Sequence, residues 1–153
     1  MGAKSLTLPV TKLYGEDFVA WASDTARLLR EGRFDQIDIE SLAEEIQAMA
    51  DRDRRELRSR LRVLSFHLLK WRWQPKRRSR SWKSTIQEQR AAIEDLVQSS
   101  PSLRGSLRES VLRTYPKAVV RASIETGLPA ASFPRECPWA VAEILGPDFL
   151  PES

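Results

Sequence analysis

The stretch DIESLAEEIQAMADRDRRELRSRLRVLSFHLLKWRWQP, residues 38–75, decides the fold. Asp38 offers a side-chain oxygen to the first free backbone N–H groups of a helix. Leu42, Ile46, Met49/Ala50, Leu57, Leu61, Leu64, Leu68 and Trp71 then recur at the three- and four-residue spacing of one helical face. Asp53 alone interrupts the stripe, and Pro75 ends it. About 35 helical residues would extend roughly 52 Å. A compact chain of this size has a radius of gyration of roughly 15 Å. Such a helix therefore bends near 51–55, projects, or is covered by a partner subunit. The reading adopted is one long core helix, its length explained by projection or assembly.

Toward the N-terminus, residues 1–12 read as an extended arm, because Pro9 and the Ser/Thr/Val content discourage helix. Phe18, Trp21, Thr25, Leu28 and Leu29 then mark a helix over about 16–31, closed by Gly32. On the C-terminal side, Ser79 or Ser81 caps a helix carrying Trp82, Ile86, Ile93, Leu96 and Val97, which ends at Ser99. Ser100 and Pro101 open another, with Leu103, Leu107, Val111, Tyr115 and Val119 on one face. Pro116 should kink or split that helix, and Gly127 closes it. Pro138 starts a short helix to about Leu145, and the tail 146–153 docks through Phe149 and Leu150. No hairpin dipeptide separates these segments. The expected architecture is all-α: a bundle of three to four main helices, one long, with a short C-terminal helix, forming a single domain over 13–153.

Composition narrows function mainly by exclusion. Hydrophobic residues make up 41% of the 153 positions, too many for a disordered chain. One cysteine, Cys137, precludes an intrachain disulfide, and one histidine, His67, leaves little for metal or acid–base sites. The expectation is no metal and no cofactor. No run approaches the roughly 20 apolar residues of a membrane span, and Met1–Leu6 lacks a signal-peptide pattern. The chain reads as soluble, without a membrane partner, and cytoplasmic. The net charge of +4 conceals an uneven distribution. Residues 1–51 carry 5 basic and 10 acidic groups, residues 52–69 carry 6 and 2, and residues 70–83 carry 7 and none.

Lys70, Arg72, Lys76, Arg77, Arg78, Arg80 and Lys83 lie among Trp71, Trp73 and Trp82. Cations neutralise phosphates and indole faces stack on bases, so this block is a candidate anion or nucleic-acid surface. The alternative is structural: Trp71 and Trp82 anchor the core, and the arginines pair with the acidic segment 35–51. Glu45, Asp53, His67, Trp71, Trp82 and Arg90 form the candidate polar and aromatic centre. In that reading Glu44 or Glu45 pairs with Arg90, and Asp53 on the apolar stripe also requires an arginine. His67 reads as a hydrogen-bonded structural residue rather than a ligand or proton carrier. Cys137 before Pro138 reads as a helix-start thiol, a position that can lower its pKa. No catalytic set emerges.

An ordered series of short stretches resembles a known family. It runs through Leu13-Tyr14-Gly15-Glu16-Asp17-Phe18 with Trp21, Leu42-Ala43-Glu44-Glu45-Ile46, and His67-Leu68-Leu69-Lys70-Trp71 with Gln74-Pro75. It continues through Arg78-Ser79-Arg80-Ser81-Trp82, Glu88-Gln89-Arg90, Ser100-Pro101-Ser102-Leu103 and Glu125-Thr126-Gly127-Leu128-Pro129. Phe133-Pro134, Cys137-Pro138-Trp139 and Asp148-Phe149-Leu150-Pro151 complete it. In this order the chain is similar to the DUF29 family over about residues 13–152. The resemblance implies a bacterial, all-helical domain and carries no activity, cofactor or site residue with it.

The leading expectation is a small non-enzymatic helical interaction protein that binds another protein or a second copy of itself. The alternative is a nucleic-acid or polyanion binder using 70–83. A third reading is an enzyme with an unrecognised site around His67, Glu45 and Arg90.

Overall fold

The computed structural model describes residues 10–152. Six α-helices and no strands occur among the described residues. They are α1 (Val10–Glu16), α2 (Phe18–Arg30), α3 (Ile39–Trp73), α4 (Arg80–Ser99), α5 (Leu107–Thr126) and α6 (Val141–Leu145). Short 3-10 turns cover Phe34–Gln36, Pro75–Arg77, Pro101–Ser106 and Ala130–Ser132. The fold is all-α, as the apolar spacing requires, with helices of substantial length in α2 to α5.

Helix α3 is the 35-residue helix expected from residues 38–75. Asp38 caps it: its carboxylate accepts from the Ser41 backbone N–H at 3.2 Å and from the Ser41 hydroxyl at 2.6 Å. Those bonds hold the Asp38 carboxyl below its ordinary pKa. Ser79, not Ser81, caps α4, accepting from the Trp82 N–H at 3.2 Å. Gly127 closes α5 at φ +72°, the left-handed conformation that glycine adopts without a Cβ penalty.

Several expectations need correction. Ser100 and Pro101 open a 3-10 turn over Pro101–Ser106 with no side-chain cap bond from Ser100, and α5 begins only at Leu107. The arm over 1–12 lies partly outside the described residues, but Val10–Glu16 is helical, so helix begins before residue 16. A break then falls at Asp17, whose side chain caps α2 by accepting from the Ala20 N–H at 3.0 Å. Pro116 does not split α5. It lies on the exposed side, where the carbonyl it leaves without a donor can be solvated. Pro138 does not start the last helix. Ala140 caps α6, its N–H donating to the Glu143 carboxylate at 2.8 Å.

The chain divides into two compact units, residues 1–51 and 52–153, where the sequence led to a single domain. The boundary falls inside α3. Among the described residues of the first unit, Trp21, Thr25, Leu28 and Ile37 are buried. Trp21 packs on Tyr14 and Phe18, with ring centroids 4.8 and 5.6 Å away.

The second unit holds the main core. Leu57, Leu61, Leu64 and Leu68 of α3, Ile86, Ile93 and Val97 of α4, and Val111, Tyr115 and Ala118 of α5 interlock there. The C-terminal segment completes it with Phe133, Trp139 and Ile144. Phe149 and Leu150 pack against the same core, so the tail docks through the residues expected. The Tyr115 hydroxyl, donating to the Pro134 carbonyl at 2.8 Å, ties the loop after α5 to that helix.

Candidate functional site

The basic block 70–83 does not act as one surface. Lys70 turns inward. Its Nζ lies 3.1 Å from Glu125 of α5 and 4.4 Å from the ring centroids of both Phe66 and Trp82. A buried ammonium is tolerated when a carboxylate and aromatic faces replace its water. Burial pushes the Glu125 carboxyl up, but the hydrogen bonds and charges of Lys70 and Arg121 outweigh it and hold it below its ordinary pKa. Arg78 donates from Nε to the Trp71 carbonyl at 2.8 Å and stacks at 5.2 Å on the Trp71 ring. Arg72 lies 4.9 Å over Trp73. Lys76, Arg77, Arg80 and Lys83 are exposed and make no ion pair among the described residues. Pro75 accounts for this split. It ends α3, and the following 3-10 turn leaves Lys76 and Arg77 at the surface.

The acidic segment 35–51 is therefore not what satisfies the inward-facing cations of the block. Trp71 is half-buried against the core, and Trp82 serves as an aromatic wall for Lys70.

Arg90 also departs from expectation. Its guanidinium does not pair with Glu44 or Glu45. Buried on α4, it donates from Nε to the Ile144 carbonyl at 2.8 Å, from Nη1 to Pro147 at 3.4 Å and from Nη2 to Phe149 at 2.7 Å. The planar fork suits one carbonyl at the end of α6 and two in the tail beyond it, where backbone oxygens lack intrahelical donors. Burial lowers its pKa, with the nearby charge of Asp148 opposing. Glu45 instead accepts from the Tyr14 hydroxyl at 2.8 Å, and Glu44 lies 3.5 Å from the same hydroxyl. The hydrogen bond to Glu45, reinforced by both negative charges, pushes the Tyr14 phenol up to about 12. Asp53 is half-buried and, contrary to expectation, forms no arginine pair among the described residues.

His67 lies with Nδ1 2.9 Å from the Val63 carbonyl and its ring edge-on to Phe66. Burial lowers its pKa, and the charges of Lys70 and Arg121 add to that; the Val63 bond and Glu125 oppose it. The ring is held neutral beside two cations. Five cavities in the structure are lined by other residues, and no cluster of three metal-ligating side chains occurs among the described residues. Cys137 is not a helix-start thiol: it precedes the α6 cap by three residues, and burial raises its pKa.

The second unit presents a cationic groove that the sequence reading passed over. Arg55, Arg58, Ser59 and Arg62 of α3 face Arg113, Thr114 and Lys117 of α5 across a cavity of about 380 Å³. A second cavity of about 260 Å³ shares Arg58 and Arg113 and adds Arg54, Ser106, Glu109 and Ser110. The signal was present as arginines at 55, 58 and 62 and cations at 113 and 117, each set on one helical face. Only the pairing of α3 with α5 converts two modest stripes into one site.

A larger cavity of about 690 Å³ lies between α5 and the loop carrying Cys137 and Trp139, edged by Arg104 and Arg108. No helix is long and apolar enough to cross a membrane among the described residues.

These features define an all-α protein with a dense helical core, internally anchored cations and exposed cationic surfaces. The chain belongs to the family of the domain of unknown function DUF29, whose model matches residues 13–150. No curated protein and no solved structure matches it.

Proposed function

We propose that the protein is a non-enzymatic interaction protein that holds a partner helix on the first half of α3. One observation carries this reading. Ile39, Leu42, Ile46 and Met49 share one helical face in the first unit, and Ile39, Ile46 and Met49 are 59%, 59% and 58% exposed. Spacings of three and four residues form the seam by which one helix receives another. Solvent-facing aliphatic side chains in such a row mark an association surface.

Charge favours one kind of occupant. Residues 1–51 carry 10 acidic and 5 basic groups, and Asp38, Glu40, Glu44 and Glu45 lie among the seam residues. Two identical acidic faces repel each other, whereas an amphipathic helix with a basic rim is attracted. The partner is an apolar helix edge flanked by lysine or arginine.

The test uses two designed helical peptides with the same Leu/Ile edge, one flanked by lysines and one by glutamates. The lysine peptide should bind the full-length protein more tightly, and Ile46→Glu with Met49→Glu should abolish binding. Equal binding of both peptides, or binding indifferent to those substitutions, would reject the reading. A dimer in sedimentation that the same substitutions dissolve would assign the seam to a second copy instead.

Exposed Lys76, Arg77, Arg80 and Lys83 favour a second reading, a polyanion-binding surface at the turn between α3 and α4. Anisotropy with labelled single- and double-stranded nucleic acid across a salt series tests it. Binding should weaken steeply with salt and disappear on Lys76→Glu with Arg77→Glu. Salt-insensitive binding, or none at low salt, would discard it.

A further inference from the structure

We propose that the α3–α5 groove is a binding site for an oligophosphate: linked phosphate groups, as in the tail of a nucleoside triphosphate or in inorganic tripolyphosphate. The site is independent of the seam on the first unit and of the exposed cations at 76–83.

The charge balance of the groove is the first argument. Arg55, Arg58, Arg62, Arg113 and Lys117 line one cavity of about 380 Å³, and no carboxylate lines it. None of the five forms an ion pair among the described residues. Some other cations of this unit are paired, Lys70 with Glu125, Arg60 with Glu56, Arg121 with Glu125 and Arg104 with Glu94, while Lys76, Arg77, Arg80 and Lys83, unpaired among the described residues, are spread along the turn after α3 and the start of α4. Five like charges in one concavity repel one another, and low-dielectric walls intensify their field. An anion in the groove relieves that repulsion.

The second argument is an unused donor. Arg62 Nε is buried and has no hydrogen-bond partner. A buried N–H without an acceptor is costly, and an unanswered one at a lined cavity calls for an explanation. Arg62 lines the groove, and a turn of its side chain would bring that N–H to a phosphate oxygen there.

The composition of the wall then selects the ligand. Four of the five cations are arginines, whose forked donors match phosphate oxygens two at a time. No aromatic side chain lines either half of the groove, so it offers no platform for a base. The groove recognises phosphate and ignores what the phosphate is attached to. A nucleic-acid strand delivers one charge per nucleotide along an extended backbone. Linked phosphates bring several charges into a single small cavity, which matches five cations better. Glu109 lines the adjoining 260 Å³ cavity with Arg54, Arg58 and Arg113, so the carboxylate-free part of the groove is the 380 Å³ cavity.

Calorimetric titration of the full-length protein with sodium tripolyphosphate, ATP, orthophosphate and a thymidine oligonucleotide tests the assignment. Tripolyphosphate and ATP should bind with similar affinity and more tightly than the other two, and raised salt should weaken binding. Arg58→Gln with Arg113→Gln should reduce tripolyphosphate affinity by about ten-fold or more, the change that 1.4 kcal/mol of lost contact produces. Lys76→Gln with Arg77→Gln should leave it unchanged. Circular dichroism establishes that each variant is folded. Because the groove substitutions remove repelling charges, they should not lower the melting temperature. No binding of tripolyphosphate, or equal losses in both double variants, would overturn the proposal. Tighter binding of the oligonucleotide than of tripolyphosphate would overturn it in favour of a nucleic-acid backbone.

Discussion

Arg90 and Lys70 show how this protein uses charge where burial is costly. A buried guanidinium that engages three carbonyls replaces three of its water contacts without needing a carboxylate. Its removal leaves the Ile144 and Phe149 carbonyls without those donors and frees the tail. Arg90→Met should therefore destabilise the protein by about 2–4 kcal/mol, as expected when charge-assisted bonds are lost and partners stay buried. Urea unfolding measures this. Arg90→Lys should recover only part of the loss, since a single ammonium cannot reproduce the fork. Equal stability of Arg90→Met and the parent would mean that the tail docks through Phe149 and Leu150 alone.

His67 supplies a pH dependence with a defined sign. Its folded pKa lies below the ordinary 6.5, chiefly through burial. Above about pH 6.5 the ring is neutral in both states and contributes no slope. Below it the unfolded chain takes up a proton before the folded one does, so stability falls until the folded value is passed. The loss from Glu125, whose carboxyl is held low, belongs to more acidic pH, below its ordinary 4.5. Urea midpoints measured from pH 7 to 5 should therefore decline in the parent and change less in His67→Gln. Parallel curves would show that another group titrates there.

At the scale of elements, the caps define the helices. Gly127 at φ +72° ends α5, and a Cβ placed there would meet no atom within 4 Å. The cost of Gly127→Ala is then purely conformational, about 1–2 kcal/mol for a left-handed residue with a side chain. Gly127→Asn should cost less, because asparagine tolerates that region better. A thermal melt of both variants checks the order. A larger loss for asparagine would mean that something other than backbone conformation governs the position.

Helices α3 and α4 and the end of α5 were legible because their signals are local: Asp38 and Ser79 as caps, apolar residues at helical spacing, and Pro75 and Gly127 as stops. The start of α5 was not, since Ser100 and Pro101 open a 3-10 turn instead. Helix α1 was missed because Pro9 and the Ser/Thr/Val content outweighed a segment of only seven residues. Pro138 misled because the favoured first-turn position of proline is a tendency, and Ala140 with Glu143 captures the start of α6 instead. The candidate site was less legible for a different reason. A list of cations along the chain does not say which will find an acid. Lys70 found Glu125, 55 residues away, and Arg90 found carbonyls more than 50 residues away. The groove required two helices to be placed side by side, which no periodicity within either one specifies.

For the whole molecule, the division into two units matters more than the total stability. The main core cluster, from Leu57 to Ile144, lies entirely within residues 52–153. Among the described residues the first unit has only Trp21, Thr25, Leu28 and Ile37 buried, and it bears seven of the ten exposed large apolar side chains. Each buried aliphatic or aromatic side chain contributes roughly 1.5–3 kcal/mol from removal of apolar surface. The first unit therefore has far less to lose on opening, and local opening free energies follow such differences. Hydrogen exchange should show α2 exchanging through a lower-energy opening than α4 and α5. Trp21→Ala should accelerate exchange in α2 while leaving the slowest amides of α4 and α5 near their parent rates. The lysine-flanked peptide should reverse part of that asymmetry by slowing exchange in the first half of α3, because a ligand stabilises the folded form to which it binds. Tripolyphosphate should instead slow α5 and the second half of α3. If both probes slow the same amides, the two surfaces are not separate sites, and the assignment of protein to one unit and phosphate to the other falls together.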